Sequence, residues 1–375
     1  MNCSRIVSIV LPIIASLPIP AFAHEGHSHF GHSHHEKPTD GQTHAVRPAV
    51  QEAVRAVNTR PEYVLVMFQT KEGKLKQENK PGIAVHFDKF KNVKTRWDDK
   101  TLFVESNGLP DHDMMVGIRS WQQQVPLPQP FTGSNAWQIP LHPKLADKPI
   151  SAKTNLYRGA IALAVNGVPI FNALNNRGED AMAAGELDKW GGHCGRGDDY
   201  HYHAAPVHLE EIVGKGNPIA FALDGFPIYG LTEADGSPVG QLDEFNGQFD
   251  ADGQYHYHAT KTYPYINGGM RGVVTVRGDQ VEPQPRDAPV RPALQPLRGA
   301  TITDFKTTGK QSVLTYTLRG KKGTVAYSPV NESSWKFTYT EPGGQSRTQT
   351  YQRNSRQDDR GGRRPPRDNN RPPRR

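Results

Sequence analysis

A duplicated segment constrains the fold of this chain more than any other feature. The run Tyr-His-Tyr-His occupies residues 200–203 and again residues 255–258, and the segments around the two copies align without a gap at an offset of 55 residues. Further upstream, IALAVNGVPIF from Ile161 aligns with IAFALDGFPIY from Ile219 at an offset of 58 residues. Each unit predicts a strand, a tight Asn-Gly or Asp-Gly turn and a final Tyr-His-Tyr-His strand. Two units are too few for a solenoid, so the repeat favours one domain with pseudo-two-fold halves.

The repeated strand has the pattern of a metal site. Side chains alternate between the two faces of a strand, so His201 and His203 share one face and the tyrosines share the other. If the two halves face each other, His256 and His258 complete a set of four imidazoles, which suits zinc or copper better than calcium or magnesium. We therefore expect the two strands to lie close together and to bind one zinc or copper ion. The alternative is an aromatic ladder whose histidines only form hydrogen bonds.

Further ligands are expected beside the first copy, because its His193 and Cys194 are replaced by Gln248 and Phe249 in the second. Cys194 is the only cysteine after residue 23, so it is either a metal ligand or a buried apolar residue. His193 is a candidate ligand on the same grounds. His112 follows a third Asn-Gly-x-Pro run and is an additional candidate ligand.

The N-terminal segment predicts export. Residues 1–23 contain one arginine, an apolar stretch and Ala-Phe-Ala before His24, which is the pattern of a secretory signal. Residues 24–60 form a polar leader with six histidines between His24 and His35, a composition typical of a disordered tract that binds metal ions weakly. We expect a periplasmic or secreted protein whose leader buffers metal ions. No later run reaches the roughly 18 apolar residues of a membrane-spanning helix.

The formal net charge of +7 is concentrated at the C-terminus. Residues 352–375 contain nine arginines and three aspartates, and Arg5 leaves with the signal, so the rest of the mature chain is near neutral. A near-neutral body argues against nucleic-acid binding by the folded part. The tail predicts a disordered segment that either attaches to an anionic envelope surface or only increases solubility.

Composition and pattern together predict a mainly β protein. The chain has 36 glycines and 31 prolines, and its apolar runs are short, which favours many short strands over long helices. We expect a pseudo-two-fold, sandwich-like β domain at residues 61–280, with repeats at about 159–205 and 217–260 and short helices at 179–187 and 207–213. A proline-rich linker at 281–297 then precedes a small antiparallel β module at 298–351.

Four segments resemble the YHYH-domain family, a set of mostly bacterial exported proteins: NGVPIFN, GGHCGRGDDYHYH, ALDGFPIYG and GQYHYHATKTYPY. The resemblance covers roughly residues 102–276. It implies no particular activity or cofactor, so the metal prediction depends on the histidines themselves. Two other classes stay open. One is a metalloenzyme of unknown substrate that uses Asp199, Asp224 or Tyr229 as an acid or base, and the other is a metal-free structural or envelope-binding β protein.

Overall fold

The computed structural model describes residues 63–69 and 75–353 of the chain, with side chains from Lys80 onward. The predicted signal segment, the histidine-rich leader and nearly all of the arginine-rich tail lie outside these residues. The strands are, in chain order, β1 Tyr63–Gln69, β2 Leu75–Pro81, β3 Lys94–Trp97, β4 Thr101–Glu105, β5 Trp137–Pro140, β6 Leu145–Ser151, β7 Ala160–Ala164, β8 Pro169–Phe171, β9 Gly192–Cys194, β10 Tyr200–Tyr202, β11 Ala220–Ala222, β12 Pro227–Tyr229, β13 Gly247–Phe249, β14 Tyr255–His258, β15 Gly269–Gly272, β16 Thr275–Val276, β17 Val281–Glu282, β18 Ala300–Thr308, β19 Gln311–Leu318, β20 Lys321–Pro329, β21 Ser334–Thr340 and β22 Ser346–Gln352.

Helices are short in the part of the chain that the structure describes. They are 3-10 turns at Gly82–His86, Gly133–Asn135 and Val207–Leu209, and one α-helix, α1, at Glu210–Val213. The helix predicted at 207–213 is confirmed, and it ends at Gly214, whose φ of 89° is accessible to glycine. The helix predicted at 179–187 is wrong. There the Asp180 carboxylate accepts hydrogen bonds from the backbone N–H groups of Met182 and Ala183, so a turn replaces the helix.

The two repeats form one sheet of eight strands in the order β13-β14-β12-β11-β7-β8-β10-β9. This order is the same from either end once the repeats are exchanged, so the pseudo-two-fold axis passes between β7 and β11. Those two strands pair antiparallel, with Leu163 opposite Phe221, and every residue of both is buried. The predicted fold, a mainly β protein with pseudo-two-fold halves and short helices, is confirmed.

The prediction that the two Tyr-His-Tyr-His strands lie close together is wrong. Four strands separate β10 from β14, which at about 4.8 Å for each strand step places them about 24 Å apart. The reason lies in the pairing. Each histidine strand runs parallel to a strand of its own repeat, with Tyr202 opposite Ile170 and Tyr257 opposite Ile228. The halves instead meet through β7 and β11, whose small alanines and large apolar residues are buried on both faces of the sheet.

Other strands form smaller sheets. The hairpin of β1 and β2 belongs to a unit of its own, which ends at Gly82. Within residues 83–353, β3-β4-β5 form a three-stranded sheet, and β6 pairs with β15 and β16 with β17. The last five strands form an antiparallel meander, β18-β19-β20-β21-β22, which buries apolar side chains such as Leu314, Val325 and Phe337. No helix among the described residues has the length and hydropathy needed to cross a membrane.

The proline-rich segment at 281–297 is bonded to the preceding domain. The Gln284 side chain accepts a hydrogen bond from the backbone N–H of Ala160 at 2.8 Å, and the Ala288 N–H donates to the Gln129 side chain at 3.0 Å. Farther along, the Arg291 guanidinium forms a buried ion pair with Asp198, at 2.7 Å. The meander is also attached directly, because the Tyr327 hydroxyl donates to the Pro126 carbonyl. These contacts place the segment along one wall of the cleft described below.

Candidate metal centre

Three histidines of the first repeat meet on one face of the sheet. His193 on β9 lies directly opposite His201 on β10, and His203 follows on the same face of the chain. One nitrogen from each ring lies within 4.8 Å of the others. The Nε2 atoms of His193 and His203 are 3.1 Å apart. This group, His193, His201 and His203, is called the three-histidine site.

The outer nitrogens of two of these rings bind fixed acceptors. Nδ1 of His203 donates to the Asn172 carbonyl at 2.5 Å, and Nδ1 of His201 donates to the Asp199 carbonyl at 3.0 Å, with the Asp199 carboxylate at 3.3 Å. Such second partners fix the tautomer and the direction of a metal-binding histidine. With Nδ1 protonated, Nε2 of His201 and of His203 presents a lone pair.

Burial disfavours a positive charge on two of the three rings, His193 and His203. It lowers the pKa of His203 to about 3, with a further contribution from the neighbouring His201 charge. Burial also holds the pKa of His193 well below its usual range, followed by the charges of His203 and His201. A doubly protonated, charged ring is therefore disfavoured at His193 and His203, whose Nε2 atoms are 3.1 Å apart. A metal ion would bind a lone pair of each ring. Tetrahedral ligands at about 2.0 to 2.1 Å from zinc are about 3.3 Å apart, close to the observed spacing.

The three-histidine site opens into a cleft of about 580 Å³. Phe171 stacks on His201, with ring centroids 4.0 Å apart, and forms one side of the entrance. The turn between β9 and β10 and the proline-rich segment form other walls. The three imidazoles therefore line an accessible concave surface.

The second repeat has a matching group made of different atoms. Donor atoms of Glu233, His256 and His258 lie within 4.8 Å of one another, so these residues could hold a metal ion. Nδ1 of His258 donates to the Gly230 carbonyl at 3.1 Å, as Nδ1 of His203 does to the equivalent Asn172 carbonyl. Gln248 stands where the first repeat has His193. Its amide Nε2 lies 2.5 Å from the Glu233 carboxylate and 3.4 and 3.5 Å from Nε2 of His256 and His258.

Residues 136–238 match the family model described as YHYH protein. This part of the chain is a YHYH domain. The match includes the three-histidine site and the first strands of the second repeat, and it ends before Tyr255. It is narrower than the span of the resemblance in the sequence. Neither a curated protein nor a solved structure matches the chain.

Five of the seven predicted ligands fall into two groups, so the single shared site is replaced by two separate groups. The first contains His193, His201 and His203, and the second contains His256 and His258 with Glu233. Glu233 was not among the predicted ligands. The alignment at an offset of 58 pairs it with Asn175, so a change from an amide to a carboxylate was the available signal.

Cys194 does not lie with the histidines. It is the strand neighbour of His193 and stands opposite Tyr200, so its thiol lies on the tyrosine face of the sheet. The side chain is buried, and burial raises the pKa of the thiol well above its usual range. A thiol in such surroundings remains protonated and is a poor metal ligand.

His112 also lies on the tyrosine face. Its Nδ1 donates to the Asp113 carbonyl at 2.6 Å, and its Nε2 accepts from the Tyr202 hydroxyl at 2.8 Å. The ring stacks on Trp190, with centroids 4.6 Å apart. Both nitrogens are thus engaged away from the three-histidine site.

The candidate acid and base groups occupy three different environments. Asp199 lines the cleft beside His201. Asp224 is buried on the tyrosine face, where its carboxylate accepts hydrogen bonds from the Tyr257 hydroxyl and the Gly272 N–H, and burial raises its pKa. Tyr229 packs on His256 and His258, with centroids 5.4 and 5.7 Å away. Of the three, Asp199 is the one that lines the cleft over the three-histidine site.

Proposed function

We propose that the YHYH domain binds one transition-metal ion, zinc or copper, through Nε2 of His193, His201 and His203. The observation that carries the proposal is the convergence of one nitrogen from each of three imidazoles within 4.8 Å, with Nε2 of His193 and of His203 3.1 Å apart. Without a cation the contact between His193 and His203 is a hydrogen bond that uses one ring proton, whereas a metal ion binds a lone pair of every ring. Three imidazoles are a ligand set that zinc and copper accept, whereas magnesium and calcium prefer oxygen.

The second group differs from the three-histidine site because its hydrogen-bond acceptors contact an amide donor. The Gln248 amide has two N–H bonds and lies among three acceptors, at 2.5 Å from the Glu233 carboxylate and at 3.4 and 3.5 Å from Nε2 of His256 and His258, so up to two of these acceptors have a donor without an ion. A metal ion there must displace the amide group. We therefore propose that the group of Glu233, His256 and His258 is the weaker of the two, and that the domain binds one ion tightly.

Export and metal storage are proposed from the sequence alone. The predicted signal supports a periplasmic or secreted location, and the leader histidines support a weak, multi-ion store beside the tight site. The arginine-rich tail supports attachment to an anionic envelope surface. These segments lie outside the residues that the structure describes.

The proposal is tested with matched double variants of the full chain, His201→Ala with His203→Ala and His256→Ala with His258→Ala. Each protein is dialysed against a weak chelator that strips the leader, and bound zinc and copper are measured by mass spectrometry. The first variant should lose about one ion per chain and the second should retain it. Circular dichroism checks that both remain folded. Equal metal content in the wild type and the first variant would exclude the site and favour a metal-free structural role.

A further inference from the structure

We infer that the cleft over the three-histidine site binds a small oxyanion-bearing ligand, a phosphate or a carboxylate, whose oxygen completes the coordination of the metal ion. The inference rests on the proposed metal site and adds the class of ligand that reaches it. It follows from the volume of the cleft and from the charged groups that line it.

The volume exceeds what a metal site alone requires. Structural zinc sites are closed by four protein ligands, whereas sites that exchange ligands retain an open position. Here three ring nitrogens face a cleft of about 580 Å³. That volume lies in the range of about 300 to 1,000 Å³ found for small-molecule sites. The fourth position is therefore accessible to a small molecule.

Unpaired guanidinium groups line the cleft. Arg158 precedes β7, Arg196 lies in the turn between β9 and β10, and Arg286 lies in the proline-rich segment. The side chains of these three residues are exposed, and none forms a hydrogen bond or ion pair with another described residue. Arg177 also lines the cleft but is bound to Glu179 and Glu186, at 2.7 and 2.5 Å. Guanidinium groups bind carboxylates and phosphates through paired N–H donors.

The charge of the loaded cleft favours an anion. Its lining contains four arginines and four carboxylates, so the protein contribution is formally neutral. The carboxylates are Glu186, Asp199, Glu282 and Asp287, of which the first is paired with Arg177 and the second faces His201. Three neutral imidazoles add no charge, so a dication leaves two positive charges uncompensated. An oxyanion bound to the ion and to one of the three exposed arginines compensates one of these charges as a carboxylate and up to two as a phosphate.

The test uses full-length protein loaded with Co²⁺, whose visible absorption reports changes in its ligands. Spectra are taken as differences from the variant His201→Ala with His203→Ala, which removes the contribution of the leader. Inorganic phosphate and acetate are titrated separately, and a saturable change with either one is expected. Arg158→Ala combined with Arg196→Ala should lower the affinity for the anion by about tenfold or more, because the double variant removes two charged hydrogen-bond donors. Arg298→Ala, an exposed arginine outside the cleft lining, is the matched control and should leave the affinity unchanged.

The outcomes separate this inference from the proposed function. Absence of Co²⁺ at the site would overturn both. Bound Co²⁺ with a spectrum that neither anion changes would overturn the oxyanion ligand alone. Equal anion affinity in the wild type and the double arginine variant would overturn the role of the cleft. A response to phosphate alone assigns a phosphoryl ligand, and a response to acetate alone assigns a carboxylate.

Discussion

At the scale of single residues, one exchange distinguishes the two halves. His193 and Gln248 stand at the same cross-strand position, opposite His201 and His256. An imidazole brings a lone pair to that position, so acceptors converge on one point. A glutamine amide brings N–H donors, which satisfy the neighbouring acceptors. The chemistry of each half thus depends on whether this side chain donates or accepts a hydrogen bond.

The exchange predicts that Gln248→His adds a metal site. The new imidazole would join His256, His258 and the Glu233 carboxylate, and the bound metal should rise by about one ion per chain after the weak-chelator dialysis. Gln248→Leu is the control, because it removes the amide without adding a ligand and should leave the metal content unchanged. If Gln248→His binds no more metal than the wild type, the second group cannot hold an ion.

Part of the two histidine groups could be predicted from single residues of the sequence. The alternation of tyrosine and histidine correctly places His201 and His203 on one face, because strand geometry requires it. The difference between His193 and Gln248 was also visible in the alignment. The carbonyl acceptors of Asn172 and Gly230 were not, because they reach the histidines only through the parallel pairing of β8 with β10 and β12 with β14.

At the scale of elements, the 3-10 turn Val207–Leu209 packs on the tyrosine face of β10. It places His208 against His112 and Trp190, with ring centroids 4.9 and 4.7 Å apart. The buried Nε2 of His208 has no hydrogen-bond partner among the described residues. Burial lowers the pKa of His208 to about 4, and the charge of His112 lowers it further. Burial lowers the pKa of His112 as well.

This packing predicts acid sensitivity between about pH 6.5 and pH 4. The unfolded chain takes up protons on these histidines below about 6.5, whereas native His208 remains neutral until about pH 4. The free energy of unfolding should therefore fall as the pH is lowered through this window, with no contribution above it. The titratable groups around His112 and His208 are Asp111, Asp113, Lys189, Tyr200 and Tyr202.

The measurement is the urea midpoint at several pH values. His208→Leu should flatten the dependence, because it removes one of the groups that protonates on unfolding. Leu209→Ala is the packing control, since it opens a cavity at a residue that is 1% exposed and should lower stability equally at every pH. Parallel curves for the wild type and His208→Leu would contradict the assignment.

At the scale of the whole chain, one buried ion pair joins distant segments. The Arg291 guanidinium binds the Asp198 carboxylate, the Gln123 carbonyl and the Tyr339 hydroxyl, and Asp198 also accepts from the Val125 N–H. The proline-rich segment, the C-terminal meander and the turn before β10 therefore meet at one point. Arg291 is 5% exposed and Asp198 is 3% exposed, so water does not screen the pair.

Removing one partner of the ion pair between Arg291 and Asp198 should lower the free energy of unfolding. Arg291→Met leaves the Asp198 carboxylate buried without its counterion, and the free energy of unfolding should fall by about 3 to 5 kcal/mol. Combining it with Asp198→Asn should recover part of that loss, because the uncompensated charge is removed. Arg298→Ala is the exposed control and should change stability by less than about 0.5 kcal/mol. Urea unfolding measures all three variants, and a loss below about 1 kcal/mol for Arg291→Met would contradict the prediction.

The repeat predicted the class and symmetry of the fold but not which strands join the two halves. Equivalent sequences imply equivalent packing in each half, and this expectation agrees with the strand order. The mutual position of the halves depends on β7 and β11, whose runs AIALA and AFA are buried on both faces. Such runs are typical of central strands, whereas the histidine strands lie farther out in the sheet.

The paired tyrosines and aspartates have a consequence for redesign. The Tyr200 hydroxyl donates to Asp188 at 2.8 Å, and the Tyr255 hydroxyl donates to Asp243 at the same distance. Each aspartate also holds the turn before its strand through backbone N–H groups, at Trp190 and Gly192 in one half and at Phe245 and Gly247 in the other. These supports lie on the face away from the histidines. One sheet thus carries two equivalent histidine positions. The ligand residues of one position can be substituted while the other is left unchanged as an internal reference.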